Sequence, residues 1–176
     1  MAVARIKVSI EGISALLMHR FPLEPIEAID KKSKEDQAEI GAYRTPDGKL
    51  YVPSVAMQRA LVNAASYSKG KGRATLAKIA AACIMISPEY LILAPQKYTI
   101  DARAVVIKAT GGRIVRYRPR FDKWKLSFNL EYDDTLLTNE QVRKIVDDCG
   151  QRVGILDFRP EKKGPFGRFM VTKWET

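Results

Sequence analysis

Residues 125–150 constrain the fold of this chain more than any other stretch. Leu126, Phe128, Leu130 and Tyr132 alternate with Lys125, Ser127, Asn129 and Glu131. A period of two predicts a strand with one buried and one wet face. The period then changes. Val142, Ile145, Val146 and Cys149 fall at i, i+3, i+4 and i+7, the stripe of an amphipathic helix. Thr138 and Gln141 form a T-x-x-Q capping box ahead of it, Leu137 and Val142 suit a hydrophobic staple, and Gly150 supplies a stop. A half-apolar sheet and a striped helix must bury those surfaces against each other.

The rest of the chain extends this pattern. Arg5–Glu11 is a first strand, with Ile6, Val8 and Ile10 on one face. Gly12–Tyr43 is irregular: Pro22 and Pro25 break it, and the charge run Lys31–Asp36 leads as a solvated loop into a short helix near Glu35–Tyr43. Thr45-Pro46-Asp47-Gly48 is a turn. Pro53-Ser54 opens a helix striped by Met57, Leu61, Ala64 and Ala65; Leu76, Ile79, Ala80 and Cys83 mark a second, and the chain turns strand-like from Ile84 toward Leu93. Tyr98–Lys108 and Arg113–Phe121 flank Ala109-Thr110-Gly111-Gly112, a long hairpin. The last strand is Arg168–Glu175. The order predicts an α+β fold: a ferredoxin-like or RNA-recognition-type βαββαβ antiparallel sheet, with helices on one face, the other face open, and a long β-hairpin insertion.

At 176 residues a single domain, 1–176, is expected. Hydrophobic content of 46% and charged content of 28% rule out global disorder and fibrous repeats. The longest apolar run, Ile79–Ile86, falls far short of the roughly 18 residues of a membrane helix. The N-terminal residues lack the apolar stretch of a signal peptide, so a cytoplasmic protein without a membrane partner is expected. Cys83 and Cys149 read as reduced core thiols. No phosphate loop, nucleophile elbow or Cys/His metal spacing occurs, so neither metal nor cofactor is expected. Asp133-Asp134 and Asp147-Asp148 are sequence neighbours whose side chains point apart, which suits surface or helix-end roles.

One compositional value is unusual: Lys+Arg 30 against Asp+Glu 20, a net charge of +10. Such a balance attracts polyanions. Three segments concentrate it. In Arg113–Lys125, an extended chain would put Arg116, Arg118 and Arg120 on one face at roughly 6.6 Å per step, close to the phosphate spacing of an extended single strand. Tyr117, Phe121 and Trp124 interleave aromatic surface for stacking, and Pro119 suits an edge strand or a bulge. An edge strand whose arginines resist aggregation is the plainer reading of the same residues. The second segment joins Arg152 to the Gly/Pro-rich loop with Arg159, Lys162, Lys163, Phe166 and Arg168; a plain surface loop is its alternative. The third is Lys69-Gly70-Lys71-Gly72-Arg73, read as a mobile basic loop. His19, the only histidine, stands beside Arg20, so it is a candidate general base with Arg20 holding a phosphate, a nucleic-acid contact, or a structural residue.

Two stretches carry a family resemblance. Val52-Pro53-Ser54-Val55-Ala56-Met57-Gln58-Arg59-Ala60-Leu61 is a proline-serine entry to a helix bearing Arg and Leu. Gly150–Phe169, with Val153-Gly154-Ile155 and Gly164-Pro165-Phe166-Gly167-Arg168-Phe169, is a glycine-rich loop before a last strand. In these the chain resembles the RAMP superfamily, the RNA-recognition-fold proteins of CRISPR effectors, and especially their backbone subunits. It reads as a compact relative, with a phage-borne origin open. Lys163–Phe169 also resembles the aromatic RNA-binding strand motif, with an extra Pro165 and with Arg168. The resemblance implies a protein that polymerises along a nucleic acid through backbone and shape, with the Gly111-Gly112 hairpin as a thumb toward a neighbouring protomer.

The leading expectation is therefore a non-enzymatic protein binding single-stranded RNA or DNA, as a homo-oligomer or helical filament. Arg113, Arg116, Arg118 and Arg120 would contact phosphates. Tyr117, Phe121 and Phe166 would stack or wedge bases. Arg20, Lys69, Lys71, Arg73, Arg159, Lys162, Lys163 and Arg168 would complete a positive groove. The alternatives are a metal-independent endoribonuclease using His19, and a structural protein that binds an acidic partner.

Overall fold

β1 (Val3–Gly12) runs through the middle of a four-stranded antiparallel sheet in a computed structural model that describes residues 2–23 and 25–176. Its neighbours are β8 (Lys125–Asp133) and β9 (Phe169–Glu175), and β4 (Ile84–Ser87) lies beyond β8, giving the order β4-β8-β1-β9. α3 (Ser54–Ala64) and α4 (Ala77–Cys83) connect β1 to β4, and α5 (Asn139–Asp148) connects β8 to β9. This is the βαββαβ path with the first and third core strands at the centre. Ile6 pairs with Leu130, Val8 with Phe128 and Ile10 with Leu126, so both apolar faces fall on the same side. A one-residue slip would send all six into water, and each is worth about 1.5–3 kcal/mol when buried. Met57, Ala60, Leu61 and Ala64 of α3 and Val142, Ile145 and Val146 of α5 cover that side.

α5 begins as its sequence dictates: Thr138 accepts from the Gln141 N–H, and the Gln141 side chain accepts from the Thr138 N–H. Its end differs from expectation. Gly150 does not stop the helix; the chain widens into a π-turn, Cys149–Val153, and Gly154 (φ 71°) makes the exit. Gly150 is needed for another reason, because a Cβ there would run into Phe169 of β9. Cys83 and Cys149 are free thiols, and burial pushes both pKa values up.

Gly12–Tyr43 holds more structure than its prolines suggest: β2 (Leu16–Leu17), α1 (Ile26–Asp30) and α2 (Lys34–Ile40). The charge run is the start of a helix, with Ser33 capping the Asp36 N–H and Glu35 and Asp36 in the first turn, where the helix dipole favours acids. β3 (Tyr51–Pro53) pairs with β5 (Tyr90–Ile92) apart from the main sheet. The long hairpin is β6 (Thr99–Val106) with β7 (Arg113–Phe121), and Gly111 (φ 71°) sits in its turn.

β7 is not an edge strand at its base. Arg120 is paired on both sides, with Thr99 of β6 and Leu17 of β2, Phe121 pairs with Leu16, and the Pro119 carbonyl accepts from the Met18 N–H. Pro119 marks the point where β2 ends, so its missing N–H costs the ladder nothing. No helix of the described residues is long and apolar enough to cross a membrane, and no group of three or more His, Cys, Asp or Glu among them is placed to hold a metal ion.

Candidate nucleic-acid interface

The structure brings the arginine strand and the Gly-Pro loop together, but against each other. Register puts Asp101 opposite Arg118 and Arg103 opposite Arg116, so these four share one face of the hairpin with Arg120. The loop folds onto that face. Asp157 pairs with Arg118, which is only 8% exposed. Arg116 donates to Asp30 at 3.1 Å; Arg120 donates to Asp101 at 3.2 Å and Asp122 at 2.8 Å. Phe166, 4% exposed, packs its ring against the guanidinium groups of Arg103 and Arg120, at 4.8 and 5.5 Å from its ring centre.

Several expected roles are corrected by this packing. Arg118 is buried and cannot meet a phosphate, and Arg116 and Arg120 already have carboxylate partners. Phe166 is enclosed, Phe121 and Trp124 are core residues, and the Trp124 indole N–H donates to the Ser14 carbonyl. Tyr117 is half-buried beside α2. Of the four arginines expected to meet phosphates only Arg113 is exposed, and it stands opposite Val106 on the other face of the hairpin. The open sheet face also lacks the stacking rings of the aromatic motif. It carries Arg5, Lys7, Ser9 and Glu11 beside Lys125, Ser127, Asn129 and Glu131, with Arg5 paired to Glu131 at 2.7 Å. Phe169, the ring that motif would supply, is buried in the core.

The free charge lies instead on the helical side. Val55, Arg59, Asn63 and Tyr67 recur at i, i+4, i+8 and i+12 along α3 and the 3-10 turn that continues it. They form its outer stripe, complementary to the buried Met57, Leu61 and Ala64. Arg59 is exposed and, among the described residues, has no acidic partner. Asn63 donates to Glu161 at 2.9 Å, which brings exposed Lys162 and Lys163 alongside. At the far end Arg152 stacks over Tyr67 at 5.0 Å, and exposed Arg168 donates to the neighbouring Gln151 carbonyl. Lys69, Lys71 and Arg73 follow directly. Their loop is a pinned turn, not a free one: Gly70 N–H donates to Ala74 at 2.8 Å, Lys69 bridges Thr75, and Gly72 takes φ 63°. The stripe spans about 18 Å at 1.5 Å per residue, room for about three extended nucleotides.

At its N-terminal end α3 borders a cleft of about 400 Å³ lined by His19, Phe21, Tyr43, Val55, Arg59, Asp157 and Arg159 among others. The Gly-Pro loop forms one wall. It is held in shape by Arg159 donating to the Leu156 carbonyl at 2.9 Å and pairing with Glu161, and by left-handed Leu156 and Phe158 (φ 62° and 47°). Such backbone conformations cost energy and persist where packing enforces them. Burial lowers the His19 pKa from its ordinary 6.5, with Asp157 opposing and Arg118 and Arg116 adding to the shift, so the imidazole is neutral at pH 7. Exposed Arg20 lies near enough to Tyr43 and Tyr51 to oppose the upward push of burial on their pKa values. Phe21, Arg59 and Tyr43 were not in the expected binding set. The signal for Arg59 was present, as the polar position repeating every four residues between the apolar ones of α3.

No protein-family model matches the chain, and no curated protein matches it. Among solved structures it is similar to a chain of the cryo-EM structure of the Type III-B Cmr-beta bound to cognate target RNA. The TM-score is 0.56 at 12% sequence identity, over 98% of this chain and 60% of that one. What the likeness shows is a shared fold.

Proposed function

We propose that this protein is a non-enzymatic RNA-binding module that takes a single strand along the outer stripe of α3. The run of exposed cations from Arg59 through Lys162 and Lys163 to Lys69, Lys71 and Arg73, with Tyr67 between them, carries the reading. Backbone cations set affinity without reading sequence. The similar fold of a chain from an RNA-bound structure supports RNA as the first partner to test. The hairpin supports assembly along the strand, since Ala102, Ala104, Val106 and Val115 expose an apolar patch on the outer face that also carries Arg113.

Fluorescence anisotropy of a labelled single-stranded RNA across a salt series tests the reading, with particle size followed against strand length. Binding weakens with a log–log slope of about −0.7 for each phosphate neutralised. Arg59→Glu weakens it further, and Lys125→Glu on the open sheet face leaves it unchanged. A salt-independent curve, or equal losses from the two variants, would sink the proposal.

A metal-independent endoribonuclease is the second reading, and the neutral His19 in the cleft favours it. Labelled RNA incubated with EDTA decides it: intact RNA, or equal cutting by His19→Ala, removes it.

A further inference from the structure

We propose that the cleft at the start of α3 seats one unstacked nucleobase of the bound strand, with its ring against Phe21. The inference rests on the strand-binding reading and adds which part of the strand enters the cleft.

The Phe21 side chain is 87% exposed and Val55 73% exposed, and both line this cleft. A phenyl ring left in water at the mouth of a cavity is an unsatisfied stacking surface, since every base offers a π-face. The nearest aromatic, His19, stands 6.4 Å away at 57°, which leaves the Phe21 ring open.

Size and charge then select the occupant. About 400 Å³ admits a base with its sugar. A phosphate fits the interior poorly, because the charges that line it are already paired, Asp157 through Oδ2 with the buried Arg118 and Arg159 with Glu161, and Arg59 is left on the helix wall as the cation without a partner among the described residues. The Asp157 Oδ1 has no protein hydrogen bond among the described residues, so it is available to accept from an exocyclic amine or a ring N–H of a base. His19 is neutral, adding no positive charge. Arg59, free on the helix wall, is the group suited to the flanking phosphate, and the partial positive charge of the α3 N-terminus acts in the same direction. The base therefore points inward and the backbone stays at the rim, where it continues along the α3 stripe. A concavity of about 590 Å³ on the open sheet face is lined by Ser9, Lys125, Ser127 and Tyr90, but the Tyr90 ring is half-buried and packs edge-on against Tyr51 at 4.6 Å.

The test uses the full-length protein and single-stranded RNA carrying one 2-aminopurine, whose fluorescence rises when the base unstacks. At saturating protein, one position per bound protomer is expected to brighten. Phe21→Ala should abolish the rise and weaken binding about 5- to 150-fold, the range for loss of one base stack, with the salt slope unchanged. Phe21→Trp should keep binding within about twofold of wild type. An unchanged melting temperature is expected for Phe21→Ala, because the ring is outside the core. An RNA that is abasic at the responsive position should bind wild type as weakly as the intact strand binds Phe21→Ala. If the strand binds with the full salt slope but no position brightens, or Phe21→Ala binds like wild type, the cleft assignment fails and strand binding stands. If adenosine monophosphate competes at the concentration of the strand itself, the cleft is a free-nucleotide site and the assignment also fails. If no strand binds at all, both readings fail together.

Discussion

Asp157→Ala is expected to lower the stability of the fold by about 3 kcal/mol, the low end of the cost of breaking a buried ion pair. The cause is the arginine left behind. Arg118 is nearly enclosed and its Nε already lacks a hydrogen-bond partner, so Asp157 is the group that makes its burial tolerable. Without the carboxylate the guanidinium either stays buried and unpaired or pulls the loop open to reach water. Asp157 itself is about a third exposed, which holds the effect below the upper values for such pairs. Urea denaturation should show the midpoint falling by about 1–3 M at an unchanged m-value. Adding Arg118→Met to Asp157→Ala should recover a substantial part of the loss, because a buried pair replaced by apolar groups is often neutral. A single-variant loss under about 0.5 kcal/mol, the range of surface changes, would show that the pair does not hold the loop to the hairpin.

Simultaneous replacement of Lys69, Lys71 and Arg73 by alanine should weaken RNA binding about a hundredfold at low salt and reduce the magnitude of the salt slope by about two, from three phosphates at about 0.7 each. The turn that carries them is closed by backbone hydrogen bonds, so the fold should melt as wild type does. Arg120→Ala separates charge from site. It removes one positive charge too, but a charge already shared with Asp101 and Asp122 and resting on Phe166. It should lower stability and leave the salt slope unaltered. If Arg120→Ala flattened the slope and the triple variant did not, the strand would run on the hairpin and not on α3.

The difference between these residues shows where sequence reading ended. Strands β1 and β8, the capping box of α5 and the sheet topology were legible because each depends on near neighbours or on one periodicity. The row Arg116, Arg118 and Arg120 was legible as a row, and its spacing matched a phosphate backbone. Its neutralisation was not legible. Asp122, two residues from Arg120, is the one local acid; the others come from 19, 39 and 86 residues away, and only the tertiary fold brings Asp101, Asp157 and Asp30 to the row. Phe166 was hidden in the same manner, since its neighbours Arg103 and Arg120 belong to the hairpin. Lys69–Arg73 kept its place in the candidate site because a Gly-interrupted turn has few ways to be buried. Gly150 was misread because a glycine after a helix has two uses, a left-handed exit and a close approach, and its use here depends on β9.

The hairpin is a cantilever. Its outer half projects from the body, and its root is clamped by the Phe166 ring against the Arg103 and Arg120 guanidinium groups and by the Arg118–Asp157 pair. A load on the tip is therefore not dissipated where it is applied. It is borne at the clamp, and Asp157 is at once part of the clamp and part of the cleft wall. Bending the hairpin at that clamp would bear on the cleft wall through the same carboxylate.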